Sequence, residues 1–202
     1  MLEERYTLEA ERIAELSLSY DADLAHPVFG EGNSDSPLIM FIGEAPGKDE
    51  AACGRPFVGR AGKQLDGMLR LAGIDREQVF VTNAVKYRPM KRVDKRVSNR
   101  TPTSREVRDG LELLRAEIAC VRPQIIATLG NVPLSAVTQL SVVKTEPLNV
   151  GTAHGMPTII VLDGGPQKLF PLYHPAAAIY NRELKPVLEG DLIRLGEYAR
   201  SI

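Results

Sequence analysis

The chain has 202 residues, 44% of them hydrophobic, with 25 Lys and Arg set against 26 Asp and Glu for a formal net charge of −1. That length and composition suit one well-buried globular domain over residues 1–202, and the near-neutral balance argues against a protein that is basic throughout. The two cysteines, Cys53 and Cys120, are far apart and form neither a disulfide framework nor a CxxC metal pair, so a reducing cytoplasm is the expected setting.

The chain opens on the acidic stretch LEERYTLEAERIAEL, which lacks the apolar centre of a secretory signal. It is expected to form a helix over residues 3–18, within an N-terminal segment, 1–27, that packs on the domain. No later apolar run is long enough to span a bilayer, and no membrane association is expected. Leu38 to Ile42 (LIMFI) follows the turn-forming NSDSP and is apolar without alternation, the pattern of a strand covered on both faces. Next comes GEAPGKDEAACGRPFVGRAG, residues 43–62, which sets a carboxylate, an aromatic ring and several glycines at the carboxyl end of that strand. A helix from Ala61 to Leu71 ends at Gly73, a suitable C-cap, and VFVTNAV (79–85) is the second strand. A basic segment follows, containing Lys86, Arg88, Lys91, Arg92, Lys95, Arg96, Arg100 and Arg105, with Asp94 the one opposing charge. It reads either as a solvated loop or as a phosphate-binding one. Thr103-Ser104-Arg105-Glu106 is a capping box, and Val107, Leu111, Leu114 and Ile118 give the helix after it one apolar face. Ile125–Leu129 is a third strand, with Gly130, Asn131 and Pro133 suited to start a helix. Residues 158–162 and 169–173 return the chain to the sheet, and residues 184–200 are helical by period.

Alternating strands and helices imply a parallel sheet flanked by helices, which would bring Glu44, Asn83 and His174 to one edge from separate strand ends. Each has an ordinary alternative: a Glu can cap a helix, an Asn can form a turn, and a His can sit satisfied in a core. Phe57, in a glycine-rich loop, either packs beneath that loop or offers its face to a flat ligand such as a base. Gly47-Lys48 is not a phosphate loop, because Ile42 stands where the first glycine belongs and Asp49 replaces Ser or Thr. His26, His154 and His174 form no metal-ligand pattern. His154 reads as structural or exposed, and Cys53 as a packing residue.

GEAPG (43–47), GRPFVGRAG (54–62), VTNAVKYRP (81–89), NRTPT (99–103), RPQIIATLG (122–130) and YHPAA (173–177) resemble, in order and spacing, the uracil-DNA glycosylase superfamily, above all its family 4. The likeness runs from about Val28 to the C-terminus. It implies a three-layer α/β/α sandwich around a central, mostly parallel, four-stranded sheet, and a monomer that flips uracil out of DNA and hydrolyses its N-glycosidic bond to leave an abasic site. It further implies that Phe57 stacks on the base, that Asn83 reads its O4 and N3 edge with Ala45 beside it, and that His174 meets O2. Glu44 would orient water or stabilise a cationic sugar, with Glu50 a second candidate. Arg60 and the basic segment from Lys86 to Arg100 would face DNA phosphates. Ile179 or Tyr180 would wedge into the gap left by the flipped base, although Ile179 serves a core equally well.

The chain also departs from that family. Family 4 members typically carry an iron–sulfur cluster on four cysteines, and such a cluster needs all four thiolates. Two of those positions align with Tyr87 and Gly110, and the segment around Ser17 and Ser19 has no cysteine, so no cluster and no other cofactor or metal is expected. Ala51 stands in place of a usual acid. Lys91 to Val97 resemble an insertion that, in a related group, carries a histidine able to join DNA covalently; no histidine is present here. The competing reading is a lesion-binding module of the same fold with weak catalysis.

Overall fold

The computed structural model describes residues 2–16, 21–94, 96–144 and 146–202. In chain order it contains α1 (Leu2–Glu15), β1 (Ala22–Asp23), β2 (Glu31–Gly32), β3 (Ile39–Gly43), α2 (Lys48–Cys53), α3 (Arg60–Leu71), β4 (Phe80–Asn83), β5 (Arg88–Val93), β6 (Arg96–Asn99), α4 (Ser104–Val121), β7 (Ile125–Leu129), α5 (Asn131–Gln139), α6 (Val150–Ala153), β8 (Thr158–Leu162), β9 (Gly165–Leu172), α7 (Ala177–Tyr180) and α8 (Leu184–Arg200). The expected first helix reached residue 18; residues 17 and 18 lie outside the described residues.

The main sheet has the order β2-β4-β3-β7-β9-β8. Its four inner strands are parallel, as expected, and β2 and β8 extend it with antiparallel edges. The LIMFI run lacks alternation because both faces of β3 are covered. Met40 and Ile42 join the core beneath α1, α4 and α5, whereas Ile39 and Phe41 join the one beneath α3 and α8. All four are buried to within 1% of complete. Truncating a side chain such as Phe41 to Ala would cost about 3–5 kcal/mol, from lost transfer energy and the cavity left behind.

Local signals set the helix ends. Thr103 caps α4: the Glu106 amide donates to its hydroxyl, and the Thr103 amide donates to the Glu106 carboxylate at 2.7 Å. Gly73 adopts φ +67° just beyond α3, where the Ile74 amide bonds back to the Leu69 carbonyl and closes the helix end.

The basic segment is a hairpin instead of a loop. β5 and β6 pair antiparallel from Met90↔Asn99 to Val93↔Arg96, and β1 adds a third strand. Because β3 connects leftward to β4 and β7 connects rightward to β9, the sheet has its topological switch between β3 and β7. A crevice at the carboxyl ends of these strands follows from that connectivity.

Candidate active site

Gly43 and Asn83 are register partners at the carboxyl ends of β3 and β4. A Cβ added to Gly43 would lie 2.4 Å from Asn83 Oδ1 and 2.5 Å from Phe57 Cζ, so the bare backbone is what lets the amide and the ring converge. Phe57 reaches this point in a left-handed conformation, φ +57°, uncommon for a bulky residue. The first turn of α3 sustains it: a Cβ on Gly62 would come within 1.7 Å of the Phe57 carbonyl oxygen. Glu50 ties the two ends of the loop together, accepting from the Gly47 amide at 3.1 Å and the Gly59 amide at 2.8 Å. Its oxygens are therefore committed to the loop's own backbone, which makes Glu50 a clamp first.

His174 follows β9 and faces the same edge. Its Nδ1 accepts a hydrogen bond from the Ala176 amide at 3.1 Å, so in the neutral ring the proton resides on Nε2. Burial holds the imidazole below its ordinary pKa, partly offset by the charge of Glu50, and the neutral, Nε2-protonated form is favoured near pH 7. Space for the ring comes from Gly130 at the end of β7, where an added Cβ would stand 3.4 Å from His174 Cβ.

A cavity of about 340 Å³ is bounded by Ala45, Phe57, Asn83 and His174, with Glu50, Asn99, Ile179 and Tyr180 around its mouth. Thus β3, β4, β9 and the 43–62 loop bring together residues that are far apart in sequence. Glu44 stands beside this cavity, partly buried. Burial raises its carboxyl pKa, opposed by a hydrogen bond with Thr101. Thr101 is fixed in turn by Arg100, which donates to the Thr101 carbonyl and grips Glu106 through both carboxylate oxygens. Ala51 is buried and is not among the residues that line the cavity.

Several expected phosphate contacts require correction. Lys86 is 1% exposed, with its ammonium 2.6 Å from Glu117, and cannot reach DNA. Arg88 is nearly as buried and donates from Nε to Asn99 Oδ1 at 2.7 Å. Arg100 is committed to Glu106 and to the Met90 and Asp21 carbonyls. Lys91, Arg92 and Arg96 are exposed on the hairpin, and Arg60 is exposed at the start of α3 on the cavity rim. Lys95 lies outside the described residues. Ile179, which sequence left between core and wedge, lines the cavity, and Tyr180 beside it is 81% exposed.

Asn99 is a site residue that sequence reasoning passed over, although it opens the NRTPT motif. Arg88 fixes its amide through Oδ1, and its Nδ2 is close to Gly47, 3.2 Å from where a Cβ would stand. His154 is bonded through Nδ1 to buried Asp191 at 2.7 Å and packs on Tyr173, a structural placement.

Among the described residues, no group of three or more His, Cys, Asp or Glu is arranged to hold a metal. The residues at the two aligned cluster positions do not suit a four-thiolate group either. Tyr87 is a buried ring in the core, and at Gly110 any side chain would meet the Ala84 carbonyl oxygen at 2.4 Å. No helix among the described residues is long and apolar enough to cross a membrane.

Comparison with known proteins agrees with this geometry. The sequence is 41% identical over 169 residues to a type-4 uracil-DNA glycosylase of Saccharolobus solfataricus, covering 83% of this chain and 74% of that protein. Proteins of the same description from Archaeoglobus fulgidus and Thermotoga maritima are 35% and 38% identical, covering 83% and 82% of this chain and 79% of each relative. The family model described as the uracil DNA glycosylase superfamily matches residues 29–191, most of the chain and all of the cavity, and the chain belongs to that superfamily.

Proposed function

We propose that this protein is a monofunctional DNA glycosylase that hydrolyses the N-glycosidic bond of uracil and leaves an abasic site. The observation that carries the reading is the convergence of Phe57, Asn83 and His174 on one cavity at the sheet edge. A base flipped into it stacks on Phe57. The Asn83 amide offers an acceptor for N3–H and a donor for O4, whereas cytosine presents the reverse pattern at those atoms. As the C1′–N1 bond breaks, its electron pair passes to the base, and the Nε2–H of neutral His174 supports the negative charge growing on O2. Ionised Glu44 favours the positive sugar and orients the water whose oxygen bonds to C1′, the proton that this water sheds balancing the one that the released uracil anion takes up. Glu50 keeps the loop shut around the base and is placed to share in holding water only through oxygens already bonded to Gly47 and Gly59.

Exposed Lys91, Arg92 and Arg96, with Arg60 at the rim, supply phosphate contacts without sequence choice. Tyr180 is the more exposed candidate for the wedge. We take the protein to work without an iron–sulfur cluster, as a monomer, in a reducing cytoplasm; the first rests on Tyr87 and Gly110, and the last on two separated cysteines. Incubation with single-stranded and double-stranded oligonucleotides carrying one uracil tests the activity. Alkali-labile abasic sites are expected, and tight binding without uracil release would instead favour a lesion-binding module.

A further inference from the structure

Lys86 belongs to the VTNAVKYRP motif but has no part in the cavity or in phosphate contact. It is the most completely buried cation among the described residues, at 1% exposure. Its ammonium donates to Glu117 Oε2 at 2.6 Å, to Thr82 Oγ1 at 2.7 Å and to the Asn83 carbonyl at 2.5 Å. All three donor directions of the ammonium are thus used, two of them on the strand end that presents Asn83. Glu117, fully buried on α4, also accepts from Thr82 Oγ1 at 3.0 Å and from the Tyr6 hydroxyl at 2.9 Å. Tyr6 comes from α1 and is stacked on Phe29 with ring centroids 4.5 Å apart. A continuous chain of bonds therefore runs from the N-terminal helix to the backbone of the base-reading residue.

Such a buried pair is a poor source of stability. Removing two charges from water costs several kcal/mol per ion, and well-packed apolar replacements are often as stable. Its geometric effect is different. Just after Asn83 the chain still follows the end of β3, where the Ala84 and Val85 amides bond to the Gly43 and Glu44 carbonyls. Among the described residues Lys86 supplies the side-chain donor to the Asn83 carbonyl, and without it this strand end would lose that hold. A small rotation there would swing an amide that must meet O4 and N3 together, and catalysis is sensitive to misplacement on the ångström scale.

We propose that Lys86, held by Glu117, is a positioning residue for Asn83, and that Tyr6 makes the base-reading geometry depend on α1 being seated. This rests on the assignment of the cavity to uracil. The test uses Lys86→Met/Glu117→Met, which leaves no unpaired buried charge, and Tyr6→Phe, which removes one hydroxyl. The readouts are inhibition of cleavage by free uracil, affinity for uracil-free duplex, and thermal midpoint. A purely structural role would move the midpoint and the duplex affinity together. The expected result is an inhibition constant for uracil raised about ten-fold in the double variant and about three-fold in Tyr6→Phe, the scale of one or a fraction of one hydrogen bond, with duplex affinity unchanged. A folded double variant with wild-type uracil inhibition overturns the proposal. If the double variant does not fold, wild-type inhibition in Tyr6→Phe overturns it. Wild-type protein that neither releases uracil nor is inhibited by it would overturn the cavity assignment itself, a distinguishable failure.

Discussion

Gly43 shows how far one residue governs the site. Its missing Cβ is what allows Asn83 Oδ1 and the Phe57 ring to approach, since both would lie within 2.5 Å of that atom. Gly43→Ala should fold, because the ring and the amide can be pushed aside, but should lower single-turnover uracil release by about 100-fold. Release within a few-fold of wild type would show that the convergence does not matter. Glu44 makes a second prediction. Its folded pKa lies above its ordinary value, so the folded protein binds more protons than the unfolded chain in that window, and the contribution of Glu44 to stability falls as pH rises through it. Glu44→Gln should therefore raise the thermal midpoint by about 1–3 °C at neutral pH while slowing release, measured by melting and by cleavage rate. His174 shifts the other way: below its ordinary pKa the unfolded chain binds the extra proton, so stability declines as pH falls across that interval. Of these residues, Glu44, Phe57, Asn83 and His174 were legible because they stand at strand ends or in a glycine-rich loop. Lys86 was misread, since a lysine inside a basic run looks solvated and its partner Glu117 is 31 residues away. Sequence proximity says nothing about which cation the fold takes inside.

Among elements, the capping box and the unalternated LIMFI strand were readable because each signal is local. The hairpin was not. Its charges dominate the segment between Arg88 and Asn99, and pairing such as Met90↔Asn99 depends on a partner strand that the period of a single stretch does not reveal. As a hairpin, the segment has a direction: its base reaches the cavity through Asn99, and the charges of Lys91, Arg92 and Arg96 project from strands that are exposed along their outer half. Replacing these three by Ala should weaken binding of uracil-containing and uracil-free duplex equally. The slope of log affinity against log salt should become shallower by up to about 2.7, three released counterions at ~0.9 each. Titration at several salt concentrations checks this, and an unchanged slope would remove the hairpin from the interface.

At the scale of the molecule, the parallel inner strands and the helices on both faces followed from alternating elements, whereas the antiparallel edges β2 and β8 did not. Glu31–Gly32 is too short to carry a pattern, and residues 158–162 read as one more strand without indicating direction. Under the proposal that no cluster is held, other contacts tie these elements together. Tyr87 fills core space, Gly110 lets α4 lie against the Ala84 carbonyl, and α1 is tied to α4 by Tyr6 and by Arg12, which donates to the Asp109 carbonyl at 2.9 Å. Purified protein should be colourless, and an iron chelator should leave its thermal midpoint unchanged to within about 1 °C. Visible charge-transfer absorption lost together with stability would contradict this.

The most direct measurement is chromatographic detection of free uracil released from a duplex containing a single deoxyuridine, for wild type, Phe57→Ala and His174→Ala. Near-stoichiometric uracil from the wild type, with release lowered by about 100-fold or more in both variants, is the predicted result. No free uracil from a wild-type protein that binds the duplex tightly, or equal release by all three proteins, would contradict the assignment of this cavity to uracil excision.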